Sequence, residues 1–309
     1  MIKRDFLSIE DVTAAELTGL LDEADDVKRK PETYSDVLSG RQVALIFEKP
    51  STRTRISFEA AVTSMGGHAI VLRGDELQLG RGETIEDTGR VLARYTDAIV
   101  LRTFAQERLE RLAAAASVPV INALSDYSHP CQALADYQTI RERLGVLRGL
   151  SLAYVGDGNN VAHSLMFAGA RLGVNVRVAA PPGYEPSPAV VQRSSEAAAE
   201  TGGSVSVTNA VDDAVRNADV LYTDVWASMG QEEQMDARRA VFGRYKIDAS
   251  AVERAAVGAI VMHCLPAHRG EEIDADVLDG PRSAVWDQAE NRLHTQKALL
   301  AWLLGSAER

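Results

Sequence analysis

The chain has 309 residues, enough for two domains of ordinary size, and its 33 basic against 44 acidic side chains leave a formal net charge of −11. That balance argues against nucleic acid or an anionic membrane surface as the main partner, since both require a basic face, but it leaves room for a local basic pocket. Hydrophobic residues at 46% and charged residues at 25% describe a globular protein. Two cysteines cannot build a disulfide framework, the first residues carry no continuous apolar run of the secretory kind, and no stretch of about 18 apolar residues occurs. A soluble, cytoplasmic protein without a membrane partner is therefore expected.

Thr13 and Glu16 make a capping box ahead of Leu17, Leu20, Leu21, Ala24 and Val27, which recur at helical spacing. Apolar runs at 43–47, 69–72, 98–101 and 118–121 are expected as buried strands, with helices over 54–64, 84–95 and 106–116 between them. A helix over 133–147, ended near Gly145 and Gly149, marks the expected boundary between a first domain, 1–147, and a second, 148–284. In the second, strands at 151–155, 175–179, 204–208, 220–223 and 259–263 alternate with helices over 162–172, 189–199, 212–217 and 249–255. The last stretch is a long helix over 285–304. Its apolar face of Leu293, Leu299, Leu300, Leu303 and Leu304 has no strand after it, so the segment 285–309 is expected to dock on the first domain. Strands alternating with helices imply parallel pairing through right-handed crossovers. The expected fold is α/β: two doubly wound parallel-sheet domains with an interdomain cleft, with ligands beyond the carboxyl ends of the strands.

The residues at those ends carry the chemistry. After 43–47 comes Glu48-Lys49-Pro50-Ser51-Thr52-Arg53-Thr54-Arg55, running into a helix. Backbone N–H groups and the helix dipole favour an anion there, and two guanidiniums with several hydroxyls add donors, so the segment reads as a phosphate cradle. It lacks the glycine spacing and the terminal Gly-Lys-Ser/Thr of a Walker A loop. Arg102 and His129-Pro130-Cys131-Gln132 follow the next two strands of this edge. Cys131 reads as a small buried hydrophobe, and no ligand pairs lie at zinc spacing around it, so no metal is expected. In the second half, Gly156-Asp157-Gly158-Asn159-Asn160-Val161 resembles a dinucleotide fingerprint but fails at the third glycine. Asp224 offers an anion for an amine and the asparagines offer amides for a carboxylate, a combination that suits an amino acid. His263 and Cys264 are adjacent on an extended segment and point to opposite faces, which argues against a catalytic dyad.

Ser51-Thr52-Arg53-Thr54-Arg55, His129-Pro130-Cys131-Gln132, Asp224-Val225-Trp226-Ala227-Ser228-Met229-Gly230 and His263-Cys264-Leu265-Pro266 resemble, in order, the motifs of the aspartate/ornithine carbamoyltransferase family. The last two resemble its ornithine-specific branch. The resemblance implies transfer of a carbamoyl group from carbamoyl phosphate to the δ-amine of L-ornithine, giving citrulline and phosphate in arginine metabolism, with no cofactor. It implies that Ser51, Thr52, Arg53 and Thr54 hold the phosphate, with Arg292 completing the anion site. Arg102, His129 and Thr54 would bind the carbonyl oxygen; Gln132 and the backbone carbonyls of Cys264 and Leu265 would bind the carbamoyl amide. Gln78 matches a loop reaching a neighbouring subunit's site, so a homotrimer or a multiple of it is implied. Asn159, Asn160 and the Met229 N–H would hold the ornithine carboxylate, Asp224 and Ser228 its α-amine, with Cys264 near the δ-amine. The alternatives are carbamoylation of another amine (aspartate, putrescine or acetylornithine), a nicotinamide-dependent oxidoreductase, and a non-catalytic binder.

Overall fold

The computed structural model describes residues 3–74, 82–227 and 235–305. The chain divides into two compact units, Met1–Ala135 with Asn291–Arg309, and Asp136–Glu290. Both divisions fall inside helices; the sequence reading placed the first at the end of the same helix, near Gly145 and Gly149.

The first unit is built on β1 (Gln42–Phe47), β2 (His68–Arg73), β3 (Ala98–Arg102) and β4 (Val120–Leu124), all parallel, in the order β2-β1-β3-β4. Its helices are α1 (Ala14–Arg29), α2 (Thr52–Ser64), α3 (Ile85–Leu92), α4 (Gln106–Ala115) and the start of α5 (Pro130–Leu144). The Thr13–Glu16 capping box forms as expected at the head of α1. Residues 43–47 of β1 are all buried, which is why that strand reads as a continuous apolar run, as a parallel strand covered on both faces does. Ala44, Ile46, Ile99, Leu101, Leu109 and Leu112 are completely buried together on one face of the sheet. β4 begins at Val120, not at residue 118, and runs on to Leu124. Pro119 has no N–H to give a ladder, although its carbonyl still accepts from Ile99 N at 2.9 Å. α5 starts at Pro130, three residues before the expected start, because proline suits a first helical position.

The second unit is built on β5 (Ser151–Val155), β6 (Asn175–Ala179), β7 (Ser204–Thr208), β8 (Val220–Thr223) and β9 (Ile260–His263), parallel throughout, in the order β7-β6-β5-β8-β9. Around it lie α6 (Asn160–Leu172), α7 (Pro188–Thr201), α8 (Val211–Val215), α9 (Met235–Phe242), α10 (Ala249–Arg254) and α11 (Ala275–Leu278). α9 and α11 were not expected. They are too short to show a helical period; α9 is anchored by the buried Phe242, which packs with Trp226, Tyr184 and Tyr245.

The last helix, α12 (Val285–Leu304), belongs to the first unit from Asn291 onward. Leu299 and Leu300 are fully buried, Lys28 Nζ donates to Asn291 Oδ1 at 2.9 Å, and the Arg4 guanidinium lies 4.3 Å from the Trp302 ring centroid. From Asn291 onward the helix thus packs on the first unit, whereas its first turn stays in the second, where Val285 joins the core and Gln288 accepts from His263 N at 3.0 Å. Among the described residues, no helix is long and apolar enough to cross a membrane.

Strand order reverses between β1 and β3 in one sheet and between β5 and β8 in the other. Open parallel sheets bind ligands at such switch points. Ser51 and Arg102 follow or end the first pair of strands; Asn159 and Asp224 follow the second.

Candidate active site

The loop after β1 is fixed from behind. Glu48 accepts from Arg108 Nη2 at 2.5 Å and from the Thr103 hydroxyl, and Lys49 pairs with Asp126 at 2.8 Å over the Phe104 ring. Ser51 then takes the N-cap position of α2 with extended backbone (φ −160°) and no side-chain capping bond. Its hydroxyl is used elsewhere, accepting from Arg102 Nη1 at 3.3 Å. The first N–H groups of α2 therefore have no side-chain cap, the condition in which a helix start receives an anion.

Arg102, His129, Gln132, Thr54 and Arg292 are all buried around this helix start. Arg292 in α12 donates from Nη1 to Gln132 Oε1 at 2.5 Å and from Nη2 to Thr54 Oγ1 at 3.1 Å. Burial, then the guanidiniums of Arg292, Arg102 and Arg53, hold His129 well below its ordinary pKa, so the imidazole is neutral at neutral pH. A neutral ring can donate a hydrogen bond to a carbonyl oxygen without adding a fourth charge. Arg55, the other arginine of the motif, pairs with Glu59 at 3.8 Å and lines a cleft of about 630 Å³ with Glu48, Ser51, Thr52 and Arg73. Cys131 is fully buried with its thiol toward the Asn122 carbonyl, and burial pushes it up to about 12, so it is inert.

In the second unit, Asn159 is the N-cap of α6. Its Oδ1 accepts from Val161 N (2.9 Å), Ala162 N (3.2 Å) and the Tyr154 hydroxyl (3.3 Å), and its Nδ2 donates to Asp224 Oδ2 at 3.0 Å. Asn159 is thereby committed to building the site. Asn160, the next residue, is buried at the first turn of α6. Asp224 also accepts from Val225 N (2.8 Å) and from the Cys264 thiol (3.0 Å) through Oδ1. Asp157 pairs with Arg238 at 2.6 Å, and Arg238 also donates to the Trp226 carbonyl at 2.6 Å. Burial still pushes the Asp157 carboxyl up against the lowering effect of Arg238.

A His263 ring nitrogen lies within 4.8 Å of the Cys264 sulfur and of an Asp224 oxygen, closer than opposite faces of an extended segment would place them, but the ring's hydrogen bonds go elsewhere. Its Nε2 lies 3.1 Å from Glu272 Oε1, both side chains fully buried, and its Nδ1 accepts from Leu265 N at 2.8 Å. With both ring nitrogens committed, His263 cannot serve Cys264 as a base. Leu265 has φ 59° and precedes a cis peptide bond to Pro266. Gln78, Ser228 and Met229 lie outside the described residues.

Residues 4–142 match the family model for the carbamoyl-phosphate-binding domain of aspartate/ornithine carbamoyltransferase, and residues 148–303 match that for its aspartate/ornithine-binding domain. The chain belongs to the aspartate/ornithine carbamoyltransferase family. Within that family it is 62% identical to an ornithine carbamoyltransferase of Parafrankia sp., over 98% of this chain and 97% of that protein. It is 54% identical to one of Pyrococcus furiosus described as anabolic, over 98% and 96% of the two chains. The solved ornithine carbamoyltransferase of Pyrococcus furiosus superposes with a TM-score of 0.95 at 53% identity, covering 99% of this chain and 98% of that one. The matched family domains coincide with the two sheets that carry the two clusters.

Tyr154, Asp157 with Arg238, and Glu272 were not found from the sequence. The Asp157–Arg238 pair spans 81 positions, and although Asp157 stands in the Gly156–Val161 motif, nothing local marks its partner. An acidic residue nine positions after His263 carries no local mark of its own.

Proposed function

We propose that the protein is an ornithine carbamoyltransferase, joining carbamoyl phosphate and L-ornithine to give L-citrulline and phosphate. The observation that carries this reading is the convergence of Arg102, Arg292 and neutral His129 on the uncapped start of α2, matched in the second unit by a carboxylate, Asp224, hydrogen-bonded to an asparagine and a thiol.

In this reading Ser51, Thr52, Arg53 and Thr54 hold the phosphate on the N–H groups of α2, and Arg102 spans the phosphate and the carbonyl oxygen. His129 and Thr54 donate to that oxygen, Gln132 binds the carbamoyl amide, and Arg292 orients Gln132 and Thr54. Asn160, with Asn159 beside it, takes the ornithine carboxylate, and Asp224 takes the α-ammonium. The δ-amine adds to the carbamoyl carbon, a tetrahedral oxyanion forms, and the C–O bond to phosphate breaks as the departing phosphate takes the proton that the amine loses. An alkyl ammonium has a pKa near about 10, so the amine must lose one proton before attack; burial next to cationic groups favours its neutral form. Holding both substrates in place supplies up to about 7–11 kcal/mol of the barrier reduction. Roles for Gln78, Ser228 and Met229 rest on the resemblance alone, as do a trimeric assembly and a cytoplasmic location.

Asp224 favours ornithine over aspartate, since a second substrate carboxylate would meet a carboxylate. Citrulline formation from carbamoyl phosphate and ornithine, measured colorimetrically beside aspartate, putrescine and acetylornithine, tests the reading. Preferred turnover of any of the other amines, or tight ornithine binding without citrulline, would overturn it.

A further inference from the structure

The turn after Pro266 gathers a second set of donors. His268 Nδ1 lies 3.9 Å from Glu271 Oε2 and 3.9 Å from Glu272 Oε2, too far for hydrogen bonds. One donor atom from each of the three lies within 4.8 Å of the others. The Glu272 side chain is completely buried, and its Oε2, like Glu271 Oε2, is buried with no hydrogen-bond partner. The other carboxylate oxygens are occupied. Glu272 Oε1 accepts from His268 N at 2.6 Å and contacts His263, while Glu271 Oε1 accepts from Arg239 Nη2 at 2.7 Å. Each carboxylate thus spends one oxygen on the fold and keeps the other near the imidazole. A buried carboxylate oxygen without a partner is costly, and such exceptions call for a ligand or ion.

The turn itself is set. Arg269 holds Asp279 through two bonds of 2.9 and 2.8 Å, and Gly270 N donates to Ile273 O at 2.8 Å with the glycine at φ 89°, a left-handed conformation that glycine adopts without strain. The His268 side chain is 40% exposed, so the cluster opens to solvent on that side.

We propose that His268, Glu271 and Glu272 bind one divalent cation of borderline softness. Zn²⁺ suits one imidazole and two carboxylates, and water from the open side completes the shell. With metal–ligand distances of about 2.1 Å, tetrahedral ligand atoms stand about 3.4 Å apart, so the imidazole must close on each carboxylate by about half an ångström and the two carboxylate oxygens on each other by at most about 1.4 Å to make a site. Through the shared Glu272 carboxylate the cation would stiffen His263 and the Leu265 N–H that it holds. The expectation of no metal rested on zinc spacings around His129 and Cys131; these ligands come instead from one turn, at i, i+3 and i+4.

Asp224, His263 and Cys264 also bring three donor atoms within 4.8 Å, inside the candidate active site, so the test must separate the two clusters. The full chain carrying Cys264→Ser, which removes the thiolate, is titrated with Co²⁺ at neutral pH and then with Zn²⁺ in competition. One equivalent of Co²⁺ is expected to bind without a sulfur-to-cobalt band, and Zn²⁺ to displace it. Adding His268→Ala or Glu271→Gln should weaken binding at least about tenfold while circular dichroism stays unchanged. Equal affinity in the His268→Ala protein, or no saturable binding in the Cys264→Ser protein, overturns the proposal. The readout is metal binding, so it stands apart from whether citrulline is formed.

Discussion

Arg292 Nη1 donates to Gln132 Oε1 at 2.5 Å while Nη2 donates to Thr54 Oγ1 at 3.1 Å, so one guanidinium from α12 ties the start of α2 to the start of α5. Replacing it with a neutral side chain acts twice. Arg292→Gln removes two charge-assisted bonds from buried partners, a loss of about 1.5–3 kcal/mol in unfolding free energy. It also removes the largest charge effect on His129, so the imidazole pKa should rise. Urea denaturation and histidine NMR read the two effects separately; an imidazole that titrates as before would show that Arg292 does not act on it.

In the proposed reaction Arg102 would bind the oxyanion. Its side chain is buried at the end of β3, where it donates to Ser51. Arg102→Ala should lower kcat by about 10²–10³, the usual effect of deleting one preorganised oxyanion donor, or about 3–4 kcal/mol. The far-ultraviolet circular dichroism should not change. Unaltered turnover at saturating substrates would remove Arg102 from the chemistry.

His129 makes the folded state sensitive to acid. Its pKa in the folded protein lies well below 6.5, because burial and three arginines disfavour the charged ring. The unfolded chain takes up its proton near 6.5; the folded chain does not until a much lower pH. Below about 6.5 the unfolded state binds more protons, so stability is full above 6.5 and falls as pH drops toward the folded pKa. The slope contributed by one such group approaches about 1.4 kcal/mol per pH unit. Denaturant titrations across this window should therefore be steeper for the unaltered protein than for His129→Asn. Parallel pH profiles for the two would refute the buried neutral ring.

Much of this was legible in the sequence because the chemistry sits at strand ends, and strand ends are where apolar runs stop. Residues 151–155, 175–179, 204–208 and 220–223 form strands with the expected bounds, the runs being closed by Gly156, by Pro181 one residue on, by Asn209 and by Asp224. The segment Ser51–Arg55 and Arg102 drew notice for the same reason, the first beginning four residues after the end of β1 and the second ending β3. What was hidden depends on distance along the chain. Arg292 reaches Thr54 across 238 positions, a relation that no local pattern carries and that only the family resemblance supplied. That Asn159 caps α6 and holds Asp224 was equally hidden, because a cap and a ligand contact call for the same residue type.

Asp224 and Cys264 share one hydrogen bond, thiol to carboxylate, at 3.0 Å. If Asp224 holds the α-ammonium, Asp224→Ala should raise the ornithine KM at least about tenfold and leave the carbamoyl phosphate KM unchanged, as expected for losing a charged partner. Cys264→Ala should keep measurable activity, since the thiol donates to Asp224 and no covalent intermediate is invoked. Mass spectrometry of the unaltered enzyme quenched during turnover should show no carbamoyl-thioester; finding one would make Cys264 a nucleophile. An unchanged ornithine KM in Asp224→Ala would displace the amine from this carboxylate.

Gly158 is the last prediction, and it rests on space. A Cβ at this position would lie 2.2 Å from Pro186 N and 2.4 Å from Glu185 C, which are backbone atoms and cannot swing aside. That backbone is itself held, since Gly158 N donates to Tyr184 O at 2.8 Å and Glu185 accepts from Gly183 N and Asn209. The chain at residue 158 must therefore retreat, carrying with it Asn159, which caps α6 and holds Asp224. Gly158→Ala should lower the unfolding free energy by about 1–3 kcal/mol, the usual range for overpacking. It should also raise the ornithine KM with little change in that for carbamoyl phosphate, because only the second unit is disturbed. Both constants rising together would mean that the strain is not confined to the Asn159–Asp224 pair, and neither rising would mean that Asn159 does not position the carboxylate.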